Sequence, residues 1–576
     1  MISPLSAGNS VPPEELPAAA RTLSASAAAA FAQGRLKSAL EDYLELVRRF
    51  GERPEWLANI GTLQLRLGQV EDSITSLGFA ASALPTHPTV FSHLGAALVR
   101  AGRPGAALAP LQRATALAPS SVDAHNALGL AYAALNDIGE ASRAFAAALA
   151  IAPGHTLVLS NWIDALIRCK QLAQAVDVAE AAVRERPGDA GAWFKLGQVR
   201  MLTGEPLSAR DALVHSARLF PSHSPTHQNL GLVSQWMGRL TEAEEHFREA
   251  LNIDPTNVDA RFGLATSLLK LRRCDEGWEL YAAGRSGAPD QRASQPRGRP
   301  WSGEPIERGA LLVIADQGLG DVLQFARFLS RARERVPRLL VFCSDYHAPL
   351  APLLANVPGV DGVVHRDSGA HLIGACTTIS QLPHLLRLGE TAFNAISPYV
   401  VPPEHALRRW GQRLATLPGR KVGLCWSGNP RPDHADANLI DSRRSLSLAA
   451  LARIADVGGI SLVSLQKGAE GMHASHAEFA LADWTDELVD YGETAALVAG
   501  LDLVVSVDTS IVHCAGAVGT PVWMLDRYDN CWRWGTDPEN AGWYVNLRVF
   551  RQPRFGDWAP VISSLRSALV AWSTAG

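Results

Sequence analysis

The residues whose types and spacing suit chemistry fall in three short segments of the C-terminal half of the chain. The first is DQGLGD, residues 316–321, which follows the apolar run ALLVIAD and opens the amphipathic stretch DVLQFARFL. Gly318 and Gly320 let the backbone approach a ligand closely, and Asp321 at the head of the helix would point into the space beyond the strand. The second is residues 507–510, where LDLVVSV ends and SIVHCAGAVG begins. A helix N-terminus carries backbone N–H groups without intrahelical partners. Together with the hydroxyls of Thr509 and Ser510, and with His513 one turn in, these groups suit a diphosphate. The third segment is a basic and amide-bearing set, Arg443 and Arg444 in DSRRSLSL and Gln466 and Lys467 in SLQKGAE. Cations there would stabilise the charge that develops on a nucleotide diphosphate as its sugar leaves. Plainer readings stand beside these: Asp321, Thr509 and Ser510 as helix caps, His513 as a structural histidine, and the arginines as an exposed turn.

The elements that must position these residues are short apolar runs (ALLVIAD, RLLVFCS, KVGLCWS, SLVSLQK, LDLVVSV, PVWMLD) alternating with amphipathic helical stretches. Strand and helix in alternation imply α/β layers with parallel sheets, and ligands of such sheets sit beyond the carboxyl ends of the strands. The segment after residue 308 is long enough for two lobes, 309–405 and 406–576, the second ending in a helix, with residues 401–421 as the crossing between them. The stretch 286–308 is rich in Arg, Gly, Ser and Pro and reads as the connection to what precedes it. Trp532, Trp534, Trp543 and Tyr544 read first as an interlobe core and second as a platform for a sugar ring.

Upstream, a proline recurs every 34 residues, at Pro85, Pro119, Pro153, Pro187, Pro221 and Pro255. A glycine keeps the same period at Gly61, Gly95, Gly129, Gly197 and Gly231, and an alanine at Ala107, Ala141, Ala175, Ala209 and Ala243. The small residues let two helices approach closely and the proline stops the second helix. Gly34, Gly68, Gly102, Gly204 and Gly238 fall at the turns between helices. This pattern resembles the tetratricopeptide repeat family over residues 18–285, about seven repeats and a capping unit, with residues 1–17 disordered. Such units stack into a superhelix whose concave groove binds other chains. The groove position two before the repeat glycine holds Asn59, His93, Ala127, Asn161, Lys195, Asn229 and Gly263. The asparagines resemble the ladder of O-GlcNAc transferase repeats, which would clamp the backbone of an extended peptide.

In the C-terminal half, GLGDVLQFARFL, CWSGNP with DSRRSLSLAAL, and DLVVSVDTSIVHCAGAVGTPVWML resemble the motifs of GT-B glycosyltransferases of the heptosyltransferase family (glycosyltransferase family 9). The order of repeats and transferase is similar to bacterial relatives of O-GlcNAc transferase. The resemblance implies an α plus α/β chain, a repeat solenoid followed by two Rossmann-like lobes in a GT-B fold. It makes Asp321 the candidate general base. It also puts Asp508, Thr509, Ser510 and His513 at the donor's diphosphate, with Arg444 and Lys467 beside it. The implied partners are a nucleotide-sugar and a protein or peptide acceptor in the repeat groove. The alternatives are a saccharide- or lipid-directed transferase, an epimerase or sugar-nucleotide hydrolase, and an inactive repeat scaffold.

Composition sets outer bounds. With 53 basic and 57 acidic side chains the net charge is -4, which gives no basic footprint for nucleic acid. No Asp-x-Asp triplet occurs, so no metal or other cofactor is expected. The first residues, MISPLSAGNS, lack the features of a secretory signal, and no apolar run is long enough for a membrane helix, which points to the cytoplasm. Seven scattered cysteines without a CxxC pair read as reduced thiols, and a homo-oligomer is compatible with all of this.

Overall fold

A computed structural model describes residues 16–284, 298–365, 373–429, 441–468, 479–538 and 542–575. The chain divides into two compact units, Met1–Thr203 and Gly204–Gly576. This division falls inside the repeats, not at the expected connection 286–308. The expected disordered stretch lies outside the described residues up to residue 15.

Among the described residues there are sixteen helices before the sheets, α1 (Ala18–Ala32) to α16 (Cys274–Ala283); α1 to α10 pack as consecutive pairs in the first unit, and α13 with α14 and α15 with α16 in the second. The period explains their ends. Six of them stop at Ala83, Leu117, Ile151, Glu185, Leu219 and Ile253, each two residues before its proline. The residue between is pushed off the helical region, with ψ between 63° and 95°. Within a pair the repeat glycine is the point of closest approach. A Cβ on Gly61 would lie 2.6 Å from Leu77, one on Gly129 2.7 Å from Phe145, and one on Gly231 2.7 Å from Phe247.

The turn inside each pair has a left-handed residue every 34 positions: Gly34, Gly68, Gly102, Asn136, Lys170, Gly204, Gly238 and Arg272, with φ from 58° to 81°. Three of the eight are not glycine, so the geometry is imposed by the stack even where the side chain opposes it.

The first unit holds α1 to α11 (Ala190–Leu202). The second holds α12 (Pro206–Leu219) to α16 and two parallel sheets. One sheet has the order β3-β2-β1-β4, with β1 Ala310–Ile314, β2 Leu339–Phe342, β3 Gly362–Val364 and β4 Ile373–Thr378. The other has the order β6-β5-β7-β8-β9, with β5 Arg420–Cys425, β6 Ile460–Ser464, β7 Leu503–Val507, β8 Val522–Asp526 and β9 Leu547–Arg551. All five residues of β1, β7 and β8 are buried, as parallel strands covered on both faces require.

Pro300 and Trp301, in the stretch expected as a connection, lie on the first sheet. Pro300 bridges to Cys376, and the Trp301 amide donates to the Cys376 carbonyl at 2.8 Å. The last repeat helix is equally part of this unit. Trp278 and Tyr281 of α16 are buried in one aromatic cluster with Phe325, Phe393, Trp532 and Trp543. The four C-terminal aromatics therefore form core, the first of the two readings the sequence offered.

Candidate functional site

Each sheet has one place where the strand order reverses, and the loops leaving it open a crevice. In the first sheet it lies at β1, flanked by β2 and β4, so the turn after β1 is DQGLGD. In the second it lies at β5, flanked by β6 and β7, so the loops after β5 and β7 carry Ser427–Gly428 and Asp508–Ser510. The first two sequence segments therefore sit at switch points because of topology, whereas Gln466 and Lys467 of the third follow β6.

The turn after β1 is held from several sides. Asp316 is turned inward and accepts from the Ser380 amide (3.1 Å) and hydroxyl (2.6 Å), which ties the ends of β1 and β4 together. Burial pushes its carboxyl up to about 6, against the pull of the Ser380 bonds. Gln317 has φ 68°, a left-handed conformation in a non-glycine residue. Its side-chain oxygen accepts from the Tyr281 hydroxyl of α16 (2.9 Å), and its carbonyl accepts from His347 Nε2 (3.0 Å).

Asp321 lies in the first turn of α17 (Leu319–Ala326), and Oδ2 accepts from the Gly318 amide at 3.0 Å. Oδ1 forms an ion pair with Arg533 Nη2 from the loop after β8. Both carboxylate oxygens are thus engaged. Arg533 also donates from Nε to Gln324 Oε1 (2.6 Å), sits 3.4 Å from the Tyr281 hydroxyl and lies over the Trp532 ring at 4.6 Å. Burial opposes its charge, and the Asp321 carboxylate more than offsets this, so the guanidinium stays protonated. One arginine from the loop after β8 thereby joins the helix that follows β1 and the last repeat helix.

Gly320 is where the two switch points meet. A Cβ there would lie 2.8 Å from His513 Cδ2 and 3.1 Å from Ser510 Cα, so only glycine lets α17 approach the Ser510–Val518 helix this closely. Thr509 caps that helix, accepting from the Ile511 amide at 3.3 Å, and lies 3.1 Å from the Ser506 hydroxyl. Ser510 Oγ accepts from the Tyr491 hydroxyl at 2.6 Å. Arg444 donates to the Asp508 carbonyl (2.9 Å) and doubly to Asp441 Oδ1 (2.8 and 2.6 Å), which fixes the guanidinium beside the cap.

The structure brings Gly318, Gly320, Asp321, Asp508, Thr509, Ser510 and Arg444 together in one neighbourhood. Three other residues face differently. His513 is buried, stacked on Trp534 at 5.3 Å, with Nδ1 2.9 Å from the Tyr544 hydroxyl. Burial and then the nearby Arg533 hold its imidazole down at about 4, so it is neutral and part of the core. Gln466 is turned inward as a strut, its Oε1 accepting from the amides of Trp426 (3.0 Å) and Ser427 (2.8 Å). Lys467 donates to the Leu488 carbonyl.

The groove positions are also engaged. Asn59 Nδ2 donates to the Tyr43 hydroxyl (3.2 Å), His93 Nδ1 lies 2.8 Å from Thr62 Oγ1, Asn161 Nδ2 donates to Asn126 Oδ1 (3.0 Å), and Lys195 pairs with Asp164 (2.7 Å). Asn59, His93 and Asn229 are buried, so these three are not displayed as an open row: the stacking of the helices covers them. The residues missed from sequence are Tyr281 and Arg533. They come from a repeat helix and an irregular loop, where no spacing marks them.

Comparison with known proteins identifies the repeats. A tetratricopeptide repeat family model matches residues 25–88, 94–156 and 162–223, and a second tetratricopeptide repeat model matches 237–295. The N-terminal region consists of such repeats, a protein-binding architecture. Protein FlbA of Caulobacter vibrioides is 27% identical over 437 residues, 71% of this chain and 72% of its own. The human protein O-mannosyl-transferase TMTC3 is 26% identical over 27% of this chain and 18% of its own length. The type IV pilus assembly protein PilF of Pseudomonas aeruginosa is 25% identical over 34% of this chain and 66% of its own. Among solved structures, a tetratricopeptide repeat protein from Parabacteroides merdae covers 43% of this chain and 98% of its own, at 16% identity and a TM-score of 0.36. Among the described residues no helix is long and apolar enough to cross a membrane.

Proposed function

We propose that the second unit is a glycosyltransferase of the GT-B type that moves a sugar from a nucleotide-sugar to a polypeptide bound by the repeats. The observation that carries this reading is the meeting of the two switch points. The Gly318–Asp321 turn and the capped N-terminus at Thr509–Ser510 face each other with only Gly320 between them. One side of that junction offers a carboxylate and the other offers amides, hydroxyls and Arg444, as a transfer with a diphosphate leaving group needs.

In this mechanism the donor's diphosphate lies at the Ser510 N–H group and the Thr509 hydroxyl, with Arg444 beside it. The acceptor hydroxyl lies toward the Asp321 carboxylate, which takes its proton as the bond to the anomeric carbon forms and the nucleoside diphosphate departs. Asp321 reaches that role only when Oδ1 exchanges Arg533 for the acceptor, so donor or acceptor entry must displace that ion pair. The chain's own cations and helix N-terminus carry the leaving group's charge, which makes the reaction independent of added metal. TMTC3, named as a protein O-mannosyl-transferase, supports the reaction class, although it is matched over only 18% of its length. The repeats support a protein acceptor.

A second reading draws on a specific observation. Both oxygens of Asp321 are satisfied within the fold, as they would be in a scaffold whose α/β region does no chemistry. Thermal unfolding of the full chain with a panel of nucleoside diphosphates, beside Thr509→Ala, separates the two. Stabilisation of the native chain by one of them, without magnesium and not in the variant, supports the transferase. No stabilisation by any of them supports the scaffold.

A further inference from the structure

Gln317, in the turn after β1, has no task in the transfer described above. It follows Asp316, which is turned onto Ser380, and stands four residues before Asp321 at the switch point of the first sheet. Its backbone is left-handed, at φ 68°, a region that glycine occupies freely and a residue with a side chain enters at a steric cost. Two contacts hold it there. His347 Nε2 donates to its carbonyl at 3.0 Å, and the Tyr281 hydroxyl donates to its Oε1 at 2.9 Å. Backbone strain that neighbours over-determine in this way points to a place built to hold a side chain.

The hydrogen bonds also decide which way the amide faces. Tyr281 is buried, and its hydroxyl oxygen lies 3.4 Å from Arg533 Nη2. A guanidinium only donates, so the phenol oxygen accepts there and keeps its one proton for Gln317. That proton needs an acceptor, which sets Oε1 toward Tyr281 and Nε2 away from it. Nε2 has no hydrogen-bond partner among the described residues, and unlike the Nε2 atoms of Gln324 and Gln552 it is not sealed from solvent. Arg533 also holds Asp321. One arginine thus orients both the open N–H group of Gln317 and the Asp321 carboxylate.

We infer that Gln317 contacts the substrate: its Nε2 donates to a hydroxyl of the sugar being transferred and so selects among sugars, with Tyr281 as its positioning residue. This rests on the transferase reading above and deepens it. The amide is a neutral donor, suited to the neutral oxygen of a hydroxyl, while the diphosphate has the helix N-terminus and Arg444. A polar group held ready for one hydroxyl discriminates against a sugar that lacks it, since the amide is then left unpaired. The last repeat helix thereby takes part in donor selection through a single phenol.

The test is titration calorimetry on the full chain with UDP-, GDP-, ADP- and TDP-linked hexoses and the matching nucleoside diphosphates. Loss of one neutral hydrogen bond should make Gln317→Gly bind the preferred nucleotide-sugar about 2- to 10-fold more weakly, with the affinity for its nucleoside diphosphate unchanged. That unchanged affinity also shows that the variant is folded. Tyr281→Phe keeps its ring in the aromatic cluster but lets the amide turn, and should lose part of the same sugar preference and nothing of diphosphate binding. Sugar-linked and free diphosphate weakened equally in both variants, or neither weakened in either, would overturn the sugar contact while leaving the transferase reading standing. Unchanged donor affinity with a raised KM for a polypeptide acceptor would place Gln317 at the acceptor and overturn its assignment to the sugar. No binding of any of these nucleotides by the native chain would overturn both the contact and the transferase reading.

Discussion

Replacing Gly320 by alanine adds one methyl group at the point where the two α/β halves of the second unit meet. That methyl would lie 2.8 Å from His513 Cδ2 and 3.1 Å from Ser510 Cα, both inside van der Waals contact. Neither neighbour yields easily. Ser510 Cα is backbone in the first turn of a capped helix, and His513 is fixed by the Trp534 ring and the Tyr544 hydroxyl. Overpacking of this kind costs about 1–3 kcal/mol. Alanine in a helix returns roughly 0.5–1 kcal/mol relative to glycine. The net loss is then on the order of 1–2 kcal/mol, and it appears as a lower urea midpoint for the second unit with an unchanged slope. Gly411→Ala is the internal control: it sits in the Glu404–Leu414 helix with nothing within 4 Å of the new methyl, and should gain about 0.5–1 kcal/mol. Tryptophan fluorescence follows both, since Trp534 and Trp543 are buried beside the junction. A Gly320→Ala chain as stable as Gly411→Ala would refute the close contact of the two turns.

Lys170 holds the left-handed turn position that glycine fills at five of the eight equivalent sites, so Lys170→Gly should raise the stability of the first unit by about 1 kcal/mol in a urea titration; no gain would mean that the turn costs lysine nothing. Burial, more than any neighbouring charge, holds the His93 imidazole down at about 4 in the folded chain. The unfolded chain takes up this proton first, so the stability of the first unit should fall as pH drops from about 6.5 through 4, by on the order of 3 kcal/mol, and His93→Gln should flatten that slope. The Asp321 and Arg533 pair predicts strong coupling. Arg533→Met alone should cost about 3 kcal/mol by leaving the Asp321 carboxylate without its cation, and Asp321→Asn with Arg533→Met together less than the sum of the singles; additivity in a denaturant double-mutant cycle would contradict the ion pair.

The repeats were legible because a solenoid writes its geometry into the chain at a fixed period. Pro85 and its five successors mark where helices stop, and Gly61, Gly129 and Gly231 mark where helices touch. The same regularity marked the turns at Gly34, Gly68, Gly102, Gly204 and Gly238, and the structure adds Asn136, Lys170 and Arg272, where the residue type gives no signal. Six strands, β1, β2 and β5 to β8, and the turns after β1 and β7 were legible because buried parallel strands are continuous apolar runs, whereas β3, β4 and β9, whose residues are in large part half-exposed, were not.

What the sequence did not carry is the direction in which a side chain faces once its element is placed. His513 lies one turn into the right helix, but Trp534 and Tyr544, from a distant loop, draw it inward. Gln466 lies at the right strand end, but the free amides of Trp426 and Ser427 capture its side-chain oxygen. Arg533 and Tyr281 meet at Asp321 across more than 200 residues of chain, which no local pattern encodes. The boundary of the second unit was hidden for a related reason: the last repeats keep their period while their aromatic residues pack against the sheets.

The central claim is tested most directly by donor turnover. The full chain is incubated with UDP-, GDP-, ADP-, TDP- and CMP-linked sugars, with EDTA present, and release of the nucleotide is measured beside Asp321→Asn. Release from one donor by the native chain, unaffected by EDTA and lost in Asp321→Asn while that donor still binds, is the predicted result. Binding with no release, equal in both proteins, would contradict a glycosyltransferase and leave a repeat scaffold with a ligand-binding α/β unit.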